Sequence, residues 1–411
     1  LNTPKNILFI SYDGLTDPLG QSQVIPYLAG LTKYGYQFTI LSCEKPEKYS
    51  LQKKYVDDLL KPYPIKWIPI PYHKKPPVLS SIYDVMMLKR KARQLHAREK
   101  FDMVHTRPGV PALIGLWMKK KMGIKFLNDV REFYADSRVE GGMWNSNNFF
   151  YKNIYKFFKS KEDEAVEKSD GIVCLTYAAE KIIKQWPQYK KHIPMEVIPC
   201  SVDIDLFDPA KIENDLKSNY KKKFGIIEGD FIFSYLGSIG SWYLTDELMQ
   251  FLKVISDNIL AAKFLFISPT QHEFIYEIAR KFKIPKEKII VAHAQRHEVP
   301  LLLSLSSYSI FFIKPCYSKQ SSSPTKHGEI MAMGIPVITN SGIGDVAEII
   351  DKYQSGFVLQ ELNEQEFLTV SKSIIKGRHF DKISIRNGAV EFYNLQIAVE
   401  KYHLIYNSIM E

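Results

Sequence analysis

Short apolar runs alternate with helix-length stretches of mixed polarity along the whole chain. In the first half, Asn6–Ser11, Gln37–Cys43, Ile65–Ile70, Met103–Arg107, Ile124–Asn128, Gly171–Thr176 and Met195–Pro199 predict strands. In the second half, Phe231–Leu236, Lys263–Ser268, Ile289–Ala292, Ser309–Lys314, Pro336–Asn340 and Gly356–Leu359 do so. These runs are rich in Ile, Val and Phe, and most are apolar throughout, as parallel strands covered on both faces are. Strand–helix alternation occurring twice predicts an α/β protein with two doubly wound, Rossmann-like domains, 1–203 and 204–389, and a boundary near Asp203–Pro209. Ligands of such sheets bind outside the carboxyl ends of the strands, so candidate site residues follow strands, and two facing domains set the site in the cleft between them. Leu1 to Asp13 reads as an apolar strand that soon meets an acid, not as a signal peptide.

Composition agrees with this reading. A chain of 411 residues exceeds what one core serves, and 13% aromatic content excludes a largely disordered chain. The most apolar run, Val299 to Ile313, is interrupted by four serines, so no membrane span is expected. Cys43, Cys174, Cys200 and Cys316 lie far apart with no C-x-x-C pair, which fits a reduced, cytoplasmic setting better than disulfides or structural zinc. Net charge is +10 over residues 1–205 and zero over 206–411. A basic first half implies a polyanion, a phosphorylated substrate or an anionic membrane surface as partner.

Chemistry concentrates in Ser321-Ser-Ser-Pro-Thr-Lys-His-Gly-Glu-Ile-Met-Ala-Met-Gly-Ile-Pro336. Ser323 suits an N-cap and Pro324 a first helical position; Gly334 and Pro336 end the helix. The amides of Thr325 and Lys326 then lack intrahelical partners, and with hydroxyls and a lysine they make a diphosphate site. Glu329 lies one turn in, on the same side, placed to accept from a ribose diol. The plain alternative is a well-capped helix with a solvated lysine. After the first strand the chain reads Asp13-Gly-Leu-Thr-Asp-Pro-Leu-Gly20, without the G-x-G-x-x-G fingerprint, so a nicotinamide or flavin cofactor is not expected.

The Pro-Thr-Lys-x-x-Glu-x-x-Ala-x-Gly-x-Pro-Val-Ile pattern resembles the donor-binding element of GT-B glycosyltransferases, in particular glycosyltransferase family 4. Leu19-Gly-Gln-Ser22 is similar to the family's glycine-rich loop after the first strand. Val197-Ile-Pro-Cys-Ser-Val-Asp-Ile-Asp-Leu-Phe207 resembles the interdomain segment, Tyr235-Leu-Gly-Ser-Ile-Gly240 the donor domain's glycine loop, and Gln295-Arg-His-Glu-Val-Pro300 the loop bordering the base. With the helix start above, the resemblance implies that Gly237, Ser238, Val299, Ser323, Thr325, Lys326 and Glu329 bind the donor, and that Gly20 and Gln21 border the acceptor. Lys314, at a strand end, is the second candidate after Lys326 for charge on the diphosphate. His105 and Arg138 are further acceptor candidates, His105 being equally explained as a structural histidine. It puts Asp129 in the place of a histidine near the reacting sugar, with Arg131 beside it; the pair is the expected catalytic set. The plain alternative there is a surface ion pair among Asp129, Arg131, Glu132, Asp136 and Arg138. Two departures stand out. Ser321 occupies the first position of the Glu-x₇-Glu found in many members, and Ser241-Trp-Tyr-Leu-Thr-Asp246 stands where many carry an Arg and a Lys that grip the diphosphate.

The resemblance implies a retaining, metal-independent glycosyltransferase that uses a UDP- or GDP-linked sugar as co-substrate, with no other cofactor, and a glycan or lipid-linked acceptor, in bacterial-type surface polysaccharide assembly. It also implies a C-terminal helix, Gly388–Met410, that returns to the first domain. Asp203-Ile-Asp205 has the Asp-x-Asp form that holds a metal in the other major glycosyltransferase fold, but it sits in the linker and is not expected to bind one. The cationic Met86–Arg98 segment and the aromatic, lysine-rich Phe149–Lys159 segment suit the headgroup layer, as does Lys119–Lys121 after Trp117. Ordinary amphipathic helices with core aromatics explain them equally. Ser137–Asn148 reads as an acceptor lid. A nucleotide-sugar epimerase or hydrolase on the same fold is the second reading. A nucleic-acid-binding protein is the third, although no RNA motif or recognition helix is found and nucleic acid is not an expected partner.

Overall fold

The computed structural model describes residues 4–269 and 272–411; Leu1, Asn2 and Thr3 of the first apolar run lie outside them. The chain divides into two units, Leu1–Pro199 with Leu395–Glu411, and Cys200–Asn394. The first change of unit falls a few residues before the stretch expected from sequence.

The first unit holds a seven-stranded parallel sheet: β1 (Lys5–Ser11), β2 (Tyr36–Glu44), β3 (Ile65–Pro71), β4 (Met103–Thr106), β5 (Lys125–Val130), β6 (Gly171–Cys174) and β7 (Met195–Val197), in the order β3-β2-β1-β4-β5-β6-β7. The second holds a six-stranded parallel sheet: β8 (Phe231–Leu236), β9 (Ala262–Ile267), β10 (Ile289–Ala292), β11 (Tyr308–Ile310), β12 (Val337–Asn340) and β13 (Gly356–Leu359), in the order β10-β9-β8-β11-β12-β13. Strand order reverses between β1 and β4 in one sheet and between β8 and β11 in the other. Loops leaving those strands diverge, which opens a crevice at each switch point. Registers of Ile7 on Phe38 and Met103, and of Phe233 on Phe264 and Tyr308, keep the apolar runs level across the sheets.

Three departures from the sequence reading have local causes. The run Ser309–Lys314 is a strand only to Ile310, because Asn340 then takes over: its Oδ1 accepts from the Ile313 amide and its Nδ2 donates to the Ile313 carbonyl, both at 2.9 Å. The expected helix Gly388–Met410 is two helices, Lys382–Phe392 and Leu395–Met410. The break at Tyr393–Asn394 lets the Tyr393 carbonyl accept from the Val202 amide at 2.7 Å. Helix Leu395–Met410 then packs on helix Ile25–Leu31 and on β6, where Gly30 and Gly171 respectively leave room for Val399 and Ile409; a Cβ at Gly30 would stand 2.6 Å from a Val399 methyl. Within the expected lid, Ser137 belongs to helix Tyr134–Glu140, and Trp144 packs edge-on to Tyr134, with its amide on the Arg138 carbonyl.

Candidate active site

In the second unit, the switch-point loop after β8 turns at Gly237 (φ 112°) and Gly240 (φ 89°). The Tyr235 hydroxyl donates to the Ser238 carbonyl at 2.6 Å and fixes the turn. Facing it is helix Thr325–Ala332, whose first amides, those of Thr325 and Lys326, have no carbonyl to reach within the helix. The helix starts one residue later than expected, with Pro324 at its cap. Ser323 does not cap it, because its hydroxyl accepts from the Cys200 amide at 3.2 Å. Lys326 is buried, and its Nζ has no hydrogen-bond partner. That amine points at the turn: a Cβ added at Gly237 would stand 3.0 Å from it. Burial pulls the Lys326 pKa down to about 7, against the opposite effect of Glu329.

Glu329 is also buried, which raises its pKa, while Arg296 works the other way. Arg296 Nη1 donates to Glu329 Oε1 at 2.8 Å, and the guanidinium lies 5.4 Å over the Phe207 ring. Arg296 was not singled out from sequence. Its signal was the quoted Gln295–Pro300 segment, whose capping box (Gln295 and Glu298) sets the turn that delivers both Arg296 and Val299. Lys314 is exposed, its amide on the Trp242 carbonyl at 3.0 Å. Ser321 is fully buried, its hydroxyl donating to the Ser318 carbonyl at 2.7 Å, so the departure from Glu-x₇-Glu puts an inward-facing hydroxyl there.

In the first unit, His105 and Arg107 at the end of β4, and Asp129 and Arg131 at the end of β5, lie on one face of the sheet and meet helix Leu395–Met410. Asp129 Oδ2 accepts from the Tyr402 hydroxyl at 3.0 Å and lies 3.3 Å from His105 Nε2 and 3.6 Å from Arg131 Nη1. Asp129 Oδ1 is buried without a partner. Burial alone would push the Asp129 carboxyl up; Arg131 and His105 outweigh it and hold it below the usual carboxylate range. Arg131 also donates to Gln23 Oε1 at 3.2 Å. The surface ion-pair alternative is therefore wrong for this pair, which is buried, though it describes Arg138, which pairs with Glu132 at 3.2 Å and stacks on Tyr134.

His105 has both ring nitrogens engaged, Nδ1 lying 2.7 Å from the Tyr406 hydroxyl, and burial keeps its pKa low despite Asp129. Rather than offering an acceptor a free nitrogen, it orients Asp129. Gly20 and Gln21 lie in helix Pro18–Gln23, not in a loop. A Cβ at Gly20 would stand 2.4 Å from the Gly14 carbonyl oxygen, so Gly20 permits close packing beneath the loop after β1. That loop is held by Glu44, which sequence reasoning missed: its carboxylate accepts from the Leu15 amide at 2.7 Å and the Thr16 hydroxyl at 2.6 Å. Asp203 Oδ1 is taken by the amides of Asp205 and Leu206, each at 3.0 Å.

Residues 217–389 match the family described as glycosyl transferases group 1. Over 401 residues, 93% of this chain and 95% of the relative, the chain is 22% identical to the Escherichia coli UDP-Gal:alpha-D-GlcNAc-diphosphoundecaprenol alpha-1,3-galactosyltransferase. Among solved structures, a glycosyltransferase from Rickettsia africae superposes with a TM-score of 0.71 at 17% identity, covering 100% of both chains. Anabaena Alr3699/HepE in complex with UDP-glucose superposes with a TM-score of 0.71 at 11% identity, over 98% of this chain and 99% of that one.

Proposed function

We propose, for a chain that is a glycosyltransferase of the GT-B fold, that it moves a hexose from a UDP-sugar onto a sugar carried by a lipid diphosphate, with retention of anomeric configuration and without a divalent cation. The observation that carries this reading is the buried, unpartnered Lys326 amine aimed at the Gly237 turn beside the free amides of a helix start. As the bond from the anomeric carbon to the diphosphate breaks, negative charge grows on the leaving group. Fixed dipoles and an ammonium at that spot stabilise the charge without reorganising. Glu329, oriented by Arg296, takes the ribose diol, and Val299 borders the base. In the other domain, Asp129 Oδ1 is an ionised oxygen that is buried and lacks a hydrogen-bond partner, and it is the oxygen we assign to the acceptor hydroxyl. Arg107 and Arg131 bring two buried guanidiniums to Asp129, with Asp13 also acting on Arg107, and this lining suits an acceptor that carries phosphate.

The first domain also supports peripheral contact with an anionic membrane at its cytoplasmic face. No helix among the described residues is long and apolar enough to cross a membrane. Helix Phe149–Lys168 exposes Phe149 (83%), Phe150 (55%) and Phe157 (49%) beside exposed Lys152 and Lys156, so these rings are not core. Lys120, by contrast, pairs with Glu164 of helix Phe149–Lys168, and Lys119 with Asp170 just before β6. Replacing the three phenylalanines by serine is expected to abolish cosedimentation with anionic vesicles while leaving donor binding unchanged; equal cosedimentation would remove the contact. The reaction is tested by incubating the protein with a UDP-hexose, with and without a lipid diphosphate sugar. Product is expected only with acceptor, whereas sugar isomerised or hydrolysed in its absence would favour an epimerase or hydrolase.

A further inference from the structure

Lys326 has aromatic neighbours. Its Nζ lies 3.8 Å from the centre of the Tyr243 ring and 4.8 Å from that of Tyr235. One residue before Tyr243, the Trp242 ring has Lys319 Nζ 3.7 Å from its centre. Trp242 and Tyr243 occupy the stretch after the glycine loop, where an Arg and a Lys would otherwise supply charge, and Tyr235 lies on β8 just before that loop. Their position is fixed by backbone. Ser241 adopts φ 61°, Tyr243 pairs with Ile313, the Leu244 amide donates to the Phe312 carbonyl at 3.1 Å, and the Lys314 amide to the Trp242 carbonyl at 3.0 Å. The ring face is a held surface, not a flexible loop.

Resting on the donor-site reading above, we propose that Tyr243, backed by Tyr235, is a positioning residue: its ring seats the Lys326 amine against the Gly237 turn, and a nucleoside diphosphate entering there binds together with a proton that the amine takes up. The proton comes from solvent and forms one N–H bond on Nζ; no bond of the donor changes. Groups facing the amine leave it as the titrating one. Glu329, on the same helix, is bound by Arg296. Burial holds both tyrosine hydroxyls well above their usual pKa, so they stay neutral. His327 is bonded to Tyr393 and stays neutral, its pKa pulled by burial to about 3. The empty site carries an amine with a pKa near 7, and a diphosphate raises it, so affinity falls as pH climbs above that value.

The test is calorimetric titration of UDP into the full chain, in two buffers of different ionisation enthalpy. The window runs from about pH 7.5 to about pH 8.5, where the terminal phosphate of UDP is already ionised. Wild type is expected to take up close to one proton and to bind roughly eightfold more weakly across that window. Lys326→Arg, always charged, should show neither effect. Tyr243→Phe should behave as wild type, and Tyr243→Leu should bind UDP roughly 2- to 30-fold more weakly with its uridine affinity unchanged. If Tyr243→Leu does not fold, wild type and Lys326→Arg decide the matter. Binding without proton uptake, uptake that survives in Lys326→Arg, or a folded Tyr243→Leu with wild-type UDP affinity would overturn the proposal and leave the donor site standing. Equal UDP affinity in wild type and Lys326→Ala would remove the donor site and the proposal together.

Discussion

Asp129 stays ionised in a buried place because a guanidinium, a phenol and an imidazole all reach one of its oxygens, while the other is buried with no hydrogen-bond partner. That division of labour predicts how Asp129→Asn behaves. An amide keeps the size but loses the charge and half the acceptor capacity, so kcat should fall by about 10²-fold or more while the Kd for UDP is unchanged. A proportional loss of UDP affinity would contradict a role confined to the acceptor side. Asp129 and Arg131 were visible in the sequence as a resemblance only. What the sequence concealed is that Tyr402, from a helix some 270 residues away, bonds to both, and that Tyr406 of the same helix holds His105, since contacts between distant segments leave no local pattern. Arg296 was missed for a similar reason. It serves Glu329 from a different loop, and nothing in its own neighbourhood announces the ion pair.

At the scale of elements, alternating apolar runs were enough to place the strands, because parallel strands buried on both faces write continuous hydrophobicity into the chain. Ends were less legible. β11 stops early because one asparagine side chain replaces the ladder, and the helix after Asp381 breaks because Tyr393 is needed elsewhere. Tyr393 packs on Gly328 in the middle of helix Thr325–Ala332, where an added Cβ would stand 2.9 Å from its ring, and its hydroxyl lies 2.9 Å from His327 Nδ1. Gly328→Ala should therefore destabilise the donor domain by about 1–3 kcal/mol, read by chemical denaturation, although alanine is the better helix former. A stabilised variant would mean that Tyr393 yields freely and does not fix the helix.

Over the whole molecule, each domain buries a histidine that its surroundings keep neutral: His105 in the first and His327 in the second, the latter with a pKa near 3. Below about pH 6.5 the unfolded chain accepts a proton at each site that the folded domain refuses. Stability is then fully present above that pH and is lost as pH falls toward the folded value, by up to about 1.4 kcal/mol per pH unit for each group. Denaturation midpoints between about pH 7 and about pH 5 should drop accordingly, and His327→Gln should flatten the donor domain's slope; an unaltered slope would assign the acid sensitivity elsewhere. The split of charge, basic in the first half and neutral in the second, was read from composition and is what the proposed anionic acceptor and membrane contact would require. Which lysines are free for that purpose came only from the ion pairs.

The most direct test of the donor site is thermal unfolding with and without saturating UDP, in wild type, Lys326→Ala and Glu329→Ala. Ligand that binds only the folded form at about 100 times its Kd adds about 2.7 kcal/mol, which is several degrees. UDP is expected to raise the wild-type midpoint and to lose most of that shift in both variants. Shifts of wild-type size in both would contradict a diphosphate held at the start of helix Thr325–Ala332.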